Sequence, residues 1–229
     1  MAENVFIAEN LEEMGTFFNK VADDYNTAHL EHGGCMESKQ IIAKFLPEHT
    51  KTILDIGIGT GLELASIFER FPNIKVTGLD IAENMLDILK ENYPGKEINL
   101  HCESYFEYDY ARNTYDAVIS AMTLHHYTHE AKTELYRKIY GCLAAGGMHI
   151  ENDYMLSEKV HKNAQEWEDF YFAEYARLKS EQGIGDDKDY HFDTPCTVIN
   201  QIKMLREAGF TDVKEAWRKE NSVVLVAKK

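Results

Sequence analysis

The chain has 229 residues, 44% of them hydrophobic, and carries 24 Lys and Arg against 39 Asp and Glu, a net charge of −15. That size and composition fit one domain with a packed core over residues 1–229, and the charge repels phosphate backbones and anionic membranes, so a nucleic-acid partner is not expected, although a local basic groove is not excluded. No run approaches the roughly 18 apolar residues of a membrane span, "MAENVFIAEN" lacks a secretion pattern, and four cysteines without CxxC spacing argue against structural zinc or a disulfide framework, so a cytoplasmic location is expected.

Residues 1–46 read as one or two helices forming a cap, with Phe17, Phe18, Val21 and Tyr25 at helical spacing. From residue 51 strands and helices alternate. "KTILDI" is a buried strand. Leu64, Ile67, Phe68 and Phe71 then mark a helix that Pro72 ends. "IKVTGLD" is the second strand. Met85, Ile88 and Leu89 mark the next helix, "INLHC" a third strand and "YDAVIS" a fourth. Ala131, Leu135, Ile139 and Cys142 share one face of a helix that Thr128 caps and Gly146-Gly147 stop. "MHIEND" is the fifth strand. Residues 51–153 are therefore expected to form a parallel sheet covered on both faces.

Residues 154–193 interrupt the pattern with an aromatic cluster, "WEDFYFAEY", and an acidic loop, "SEQGIGDDKD". This insertion, including Trp167 and Tyr171, reads equally as a lid over the strand ends or as a satellite core. In 194–229, Thr194 caps a helix that starts at Pro195 and stops before Gly209. "TDVKEAWR" and "NSVVLVAK" follow as a hairpin that closes the sheet with an antiparallel strand.

"ILDIGIGTG" joins the first strand to its helix. Glycines there let a ligand lie against bare backbone. A dinucleotide fingerprint needs GxGxxG, but the glycines fall at Gly57, Gly59 and Gly61, and Leu62 holds the position required for the third. Asp55 stands two residues before the turn, where an acid repels a pyrophosphate and attracts a cation. Asp80 ends the second strand, where an acid accepts both hydroxyls of a ribose or caps a helix. A nucleoside with a positive group fits this pattern, and S-adenosyl-L-methionine is such a molecule.

With "ILDIGIGTG", "VTGLDIAENML", "YDAVISAMTLHH" and "LAAGGMHIEND" in this order, residues 51–153 resemble the class I S-adenosylmethionine-dependent methyltransferases. The resemblance implies a Rossmann-like, doubly wound, mostly parallel seven-stranded sheet with an antiparallel C-terminal strand and helical lid elements. It places Gly57, Gly59 and Gly61 along the methionine part, Asp55 toward the amino group and Asp80 on the ribose. Ile81 and Met85 flank the adenine, and Ser120 and Ala121 lie near the sulfonium. The adenine amino group falls to Ser104 with Tyr105, where the family often has an acid. Tyr25 and His29 become lid candidates, and Trp217 and Arg218 face the pocket from the hairpin.

Methyl transfer asks the protein chiefly for positioning and, for a hydroxyl or amine acceptor, a base. His125 and His126 follow the fourth strand and read as a base or substrate contact, or as a purely structural turn. His129 completes HHxxH, a weak metal pattern, and no metal is assigned. The expected activity is transfer of a methyl to O, N or S of a small molecule. An RNA-modifying or carboxy-S-adenosylmethionine-related enzyme and a non-catalytic binding module are the rivals. The oligomeric state, a homodimer included, is left open.

Overall fold

A computed structural model describes residues 10–31, 33–185 and 188–229, without side chains for 29–31 and 33–36. The side chain of His29 thus lies outside the described residues. A short strand, β1 (Glu12–Glu13), precedes helices α1 (Met14–Glu31) and α2 (Gly33–Phe45). The core then runs β2 (Thr52–Ile56), α3 (Leu64–Arg70), β3 (Lys75–Asp80), α4 (Glu83–Asn92), β4 (Ile98–Cys102), β5 (Tyr115–Ala121), α5 (His129–Cys142) and β6 (Leu143–Tyr154). The rest comprises α6 (Ala164–Glu181), β7 (Tyr190–His191), α7 (Val198–Glu207), β8 (Asp212–Lys219) and β9 (Ser222–Lys228).

Among the described residues, seven strands form one sheet in the order β4-β3-β2-β5-β6-β9-β8. The pairs from β4 through β6 are parallel, and β9 runs antiparallel to both neighbours. The chain leaves β2 toward β3 and β4, then returns to β5 on its other side. Neighbouring connections therefore diverge at the ends of β2 and β5, where an open α/β sheet forms a crevice.

Apolar side chains fill both faces. The two-residue period of a strand sends Leu54, Ile56 and Val118 to one face, against Leu135 and Ile139 of α5. Ile53, Ala117 and Ile119 go to the other face, against Ile42 of α2 and Ile67 of α3. Asp55 has the parity of Ile53, so this acid is driven into an interior with 0% exposure.

Two boundaries differ from the sequence expectation. Gly146 and Gly147 do not stop α5. Leu143 is already extended and pairs with Tyr115, and the register slips before Met148 pairs with Ala117. The glycines form an irregularity within the strand: Gly146 has φ +76°, and a Cβ on Gly147 would lie 3.0 Å from two carbonyl oxygens. Likewise Thr194 and Pro195 do not begin α7. Thr197 caps it, accepting from Asn200 N at 3.1 Å. Thr194 is occupied elsewhere, donating its hydroxyl to His125 O and its amide to the same oxygen.

The N-terminal cap and the insertion are tied together. β1 and β7 pair antiparallel, Glu12 opposite His191 and Glu13 opposite Tyr190. Helix α1 is fastened to α4 by Asn19, which accepts from Asn84 N and receives its side-chain amide. No helix among the described residues is long and apolar enough to cross a membrane.

Candidate functional site

The turn after β2 is held by β3: Gly57 N and Ile58 N both donate to Leu79 O, at 2.8 and 3.1 Å. All three glycines take left-handed φ, +67°, +52° and +74°, a region costly for residues with a Cβ. Their surroundings differ. A Cβ on Gly57 would collide with the Thr123 side chain at 2.4 Å. A Cβ on Gly59 would meet nothing nearer than 4.0 Å, because that glycine faces open space. Gly61 O accepts the Tyr93 hydroxyl at 2.7 Å.

Asp80 ties this turn to the start of α4. Its Oδ2 accepts from Gly59 N and its Oδ1 from Ala82 N, both at 2.8 Å. It is not itself the helix cap, a place taken by Ala82. Burial pushes the Asp80 carboxyl up to about 6, and the amides of Ala82 and Gly59 pull the other way. Each oxygen keeps a lone pair beyond its amide, so the group has room to accept two hydroxyls.

A cavity of about 450 Å³, open mouth included, lies over the turn. Of the expected residues, Gly57, Gly59, Asp80, Ile81, Met85, Tyr105 and Tyr25 line it. Met14 and Phe18 of α1 and Met122, Thr123, His126 and Tyr127 after β5 complete the wall. Gly61, Asp55, Ser120 and Ala121 are not lining residues; the last three are buried behind it. Ser104 does not line it either; its hydroxyl accepts from Phe106 N within its own turn. Trp217 packs on the apolar face that holds Ile42, and Arg218 is engaged with Ser157 and Glu215. Trp167 and Tyr171 meet Phe170 edge-to-face on α6, and Tyr171 also packs against the satellite core of Leu11, Leu178 and Phe192. The hairpin and the aromatic cluster thus stand away from this wall.

Met122 and Thr123 escape sequence reasoning because their role depends on backbone shape. Met122 has φ +55° directly after the strand, and its amide donates to Asn152 O. No residue-type signal marks such a bend at a methionine.

Beneath the turn, no hydrogen bond of regular geometry reaches either oxygen of Asp55 among the described residues. Burial first, and then the adjacent Glu63, push the Asp55 carboxyl well above its usual value, while Lys39 opposes the shift. Glu63 is also raised by burial and lowered by Lys39. Lys39 is itself buried and lies 5.6 Å from the Tyr25 ring centre. Buried acids of this kind favour a cationic group above them.

The histidines sit in a 3-10 turn, Leu124–His126. His125 Nδ1 is 2.5 Å from Asp153 Oδ1, and its Nε2 is 3.5 Å from Asp193. Burial works against its charge, but Asp153 and then Asp193 leave its pKa raised. His126 Nδ1 lies 3.2 Å from both Phe192 O and Asp193 Oδ1. Burial and the neighbouring His125 lower its pKa. Two acceptors at Nδ1 assign the proton there and leave Nε2 as a base. Burial of Asp193 works against its charge, yet His126 and His125 hold its carboxyl below the usual range.

A second, more open cavity of about 870 Å³ adjoins the first, and both are lined by Phe18, Tyr25, Met122 and His126. His126 stands where they meet. His129 points elsewhere, with Nε2 2.5 Å from Glu168 Oε1, so HHxxH does not assemble as one donor set. Two smaller groups result, His125–His126–Asp193 and His129–Glu168–Cys196. In the second, Cys196 also accepts from Lys132 Nζ at 2.9 Å.

A family model described as a methyltransferase domain matches residues 53–147. A carboxy-S-adenosyl-L-methionine synthase of Campylobacter lari is 26% identical over 192 residues, covering 82% of this chain and 81% of that protein. A malonyl-[acyl-carrier protein] O-methyltransferase of Bacillus cereus is 27% identical over 135 residues, or 59% and 46% of the two chains. Among solved structures, an O-methyltransferase family protein from Burkholderia thailandensis superposes with a TM-score of 0.69 at 15% identity, covering 97% of this chain and 65% of that one. Human N-acetylserotonin methyltransferase, in complex with SAM, gives 0.59 at 18% identity, covering 84% and 51%. This chain thus spans half to two thirds of those structures, with which it shares a fold. The matched segment contains the unit of strand, glycine turn and strand that carries both acids, and over it the chain is similar to the class I S-adenosylmethionine-dependent methyltransferases.

Proposed function

We propose that this enzyme transfers a methyl group from S-adenosylmethionine to an O, N or S atom of a small molecule. The observation that carries the reading is the pair of adjoining cavities, one against the glycine turn and one beyond it, with His126 at their junction. The cofactor supplies an electrophilic methyl on a sulfonium that leaves readily. The residues present fit it. Asp80 would accept the ribose hydroxyls, Ile81, Met85 and Tyr105 would enclose the adenine, and the open side of Gly59 would receive the methionine chain. Asp55 and Glu63 lie buried beneath the turn with their carboxyl pKa values raised, and a cationic group bound above them would favour their charged form.

The protein's share of the chemistry is then positioning, exclusion of water and movement of one proton. Phe18, Tyr25 and Met14 from the cap close the cavity. His126 Nε2 takes the acceptor's proton while Asp193 and Phe192 O hold its Nδ1–H.

The carboxylated-cofactor reading, raised by the Campylobacter lari relative, is less well supported. An added carboxylate calls for a cation, and among the described residues neither Lys nor Arg lines the cavity. RNA modification is disfavoured by the charge of −15. The test is a methyl-labelled cofactor incubated with a small-metabolite extract and, separately, with total RNA. Label in the metabolite fraction is expected; label confined to RNA contradicts the reading.

A further inference from the structure

The second cavity is the acceptor chamber if the proposed function holds, and its lining is chemically selective. We propose that the acceptor is a primary or secondary amine on an apolar, ring-sized body, bound as the ammonium ion and methylated on nitrogen.

Size and apolarity come from the walls. Phe17, Phe18, Val21, Tyr25 and Met122 supply rings and aliphatic carbon, and His191 stacks on Phe17 with centroids 3.5 Å apart. Charge comes from the ionisable lining residues, which among the described residues are Asp24, Asp193 and three histidines, without Lys or Arg. His191 is lowered to about 4, by burial and then by His126, so it is neutral near pH 7. His126 is also held low. The proton that His125 favours is matched by the buried Asp153 at 2.5 Å. Asp24 and Asp193 therefore leave the chamber negative. Carboxylates beside aromatic faces are the surroundings in which an ammonium ion is stabilised. A carboxylate or phosphate acceptor would enter against that potential and find no cation. A neutral phenol or alcohol would be admitted without gaining from either acid.

The proton balance closes with groups in place. An ammonium nitrogen has no lone pair, so one proton must leave before attack. His126 Nε2 accepts it and later passes it to solvent. The freed nitrogen pair forms the N–C bond as the C–S bond breaks, its electrons going to sulfur. The products are a methylated ammonium ion, the thioether S-adenosylhomocysteine and one proton.

Calorimetry on the whole protein tests this in two stages. Titration with S-adenosylhomocysteine comes first; absence of binding there removes the cofactor reading on which the proposal rests. The saturated protein is then titrated with phenethylamine, 2-phenylethanol and 3-phenylpropanoate, probes of similar shape and different charge. The amine is expected to bind at least tenfold more tightly than the alcohol, and the carboxylate more weakly than both. Asp24→Asn and Asp193→Asn, checked for retained S-adenosylhomocysteine binding, should each erase most of that preference. Equal or tighter binding of the alcohol or the carboxylate, or no binding of the amine, overturns the proposal.

Discussion

Asp80 shows how one side chain couples backbone order to ligand chemistry. Two amides fix its oxygens at 2.8 Å and aim the remaining lone pairs outward. A carboxylate accepts two hydroxyls, whereas the protonated acid offers a donor in place of one acceptor. Because burial raises its pKa to about 6, the sign of the pH effect is fixed. Above that value the competent, charged form dominates; below it, protonation competes with binding. Calorimetry should show S-adenosylhomocysteine affinity level from pH 7 to 8 and falling toward tenfold per unit below about 6. A flat profile down to pH 5 would contradict the role given to Asp80. His126 carries the second residue-scale prediction. Once an acceptor is in hand, His126→Ala should lower kcat about 10²–10⁴-fold and weaken S-adenosylhomocysteine binding far less. Equal losses in both would assign the ring to cofactor binding instead. In the parent enzyme, the rate should rise with pH through an apparent pKa below the ordinary histidine value, since the base works deprotonated.

At the scale of elements, the turn between β2 and α3 is the most constrained piece of backbone. Gly57→Ala places a methyl 2.4 Å from Thr123 at φ +67°. The backbone term alone costs roughly 1–2 kcal/mol, and the clash adds to it, so the melting temperature and S-adenosylhomocysteine affinity should both drop. A variant with parental values of both would show the turn to be less rigid than described. This turn was legible in the sequence because glycine at a strand end reports backbone shape directly. Thr128 was legible for a similar reason: its hydroxyl accepts from Ala131 N, a contact between neighbours in sequence. Thr194 was not, because its partners, His125 O and Tyr127 O, belong to a distant turn. Ser104 does not line the cavity, and its hydroxyl accepts from Phe106 N two residues on. The bend at Met122 and the delivery of Asp193 to the histidines depend on tertiary packing, which spacing does not encode.

At the scale of the whole molecule, a parallel sheet covered on both faces follows from alternating patterns, whereas the order of its strands does not. What covers the crevice follows from pairings across long separations. Glu12 opposite His191 joins the cap to the insertion, so α1 brings Phe17, Phe18 and Tyr25 while the insertion brings His191 and Asp193 to one chamber. Hydrophobicity left the aromatic cluster of α6 open between a lid and a satellite core; packing sets its Tyr171 and Tyr175 against Leu11 and Leu178. Beneath these covers, the central claim is that a bare glycine turn between Asp55 and Asp80 holds a cationic nucleoside cofactor. Titration calorimetry with S-adenosylmethionine on the parent protein and on Asp80→Ala tests it most directly. Saturable one-to-one binding to the parent, weakened about a hundredfold or more in Asp80→Ala with the fold intact, is the predicted result; equal affinity in the two proteins, or no binding to the parent, would contradict the account.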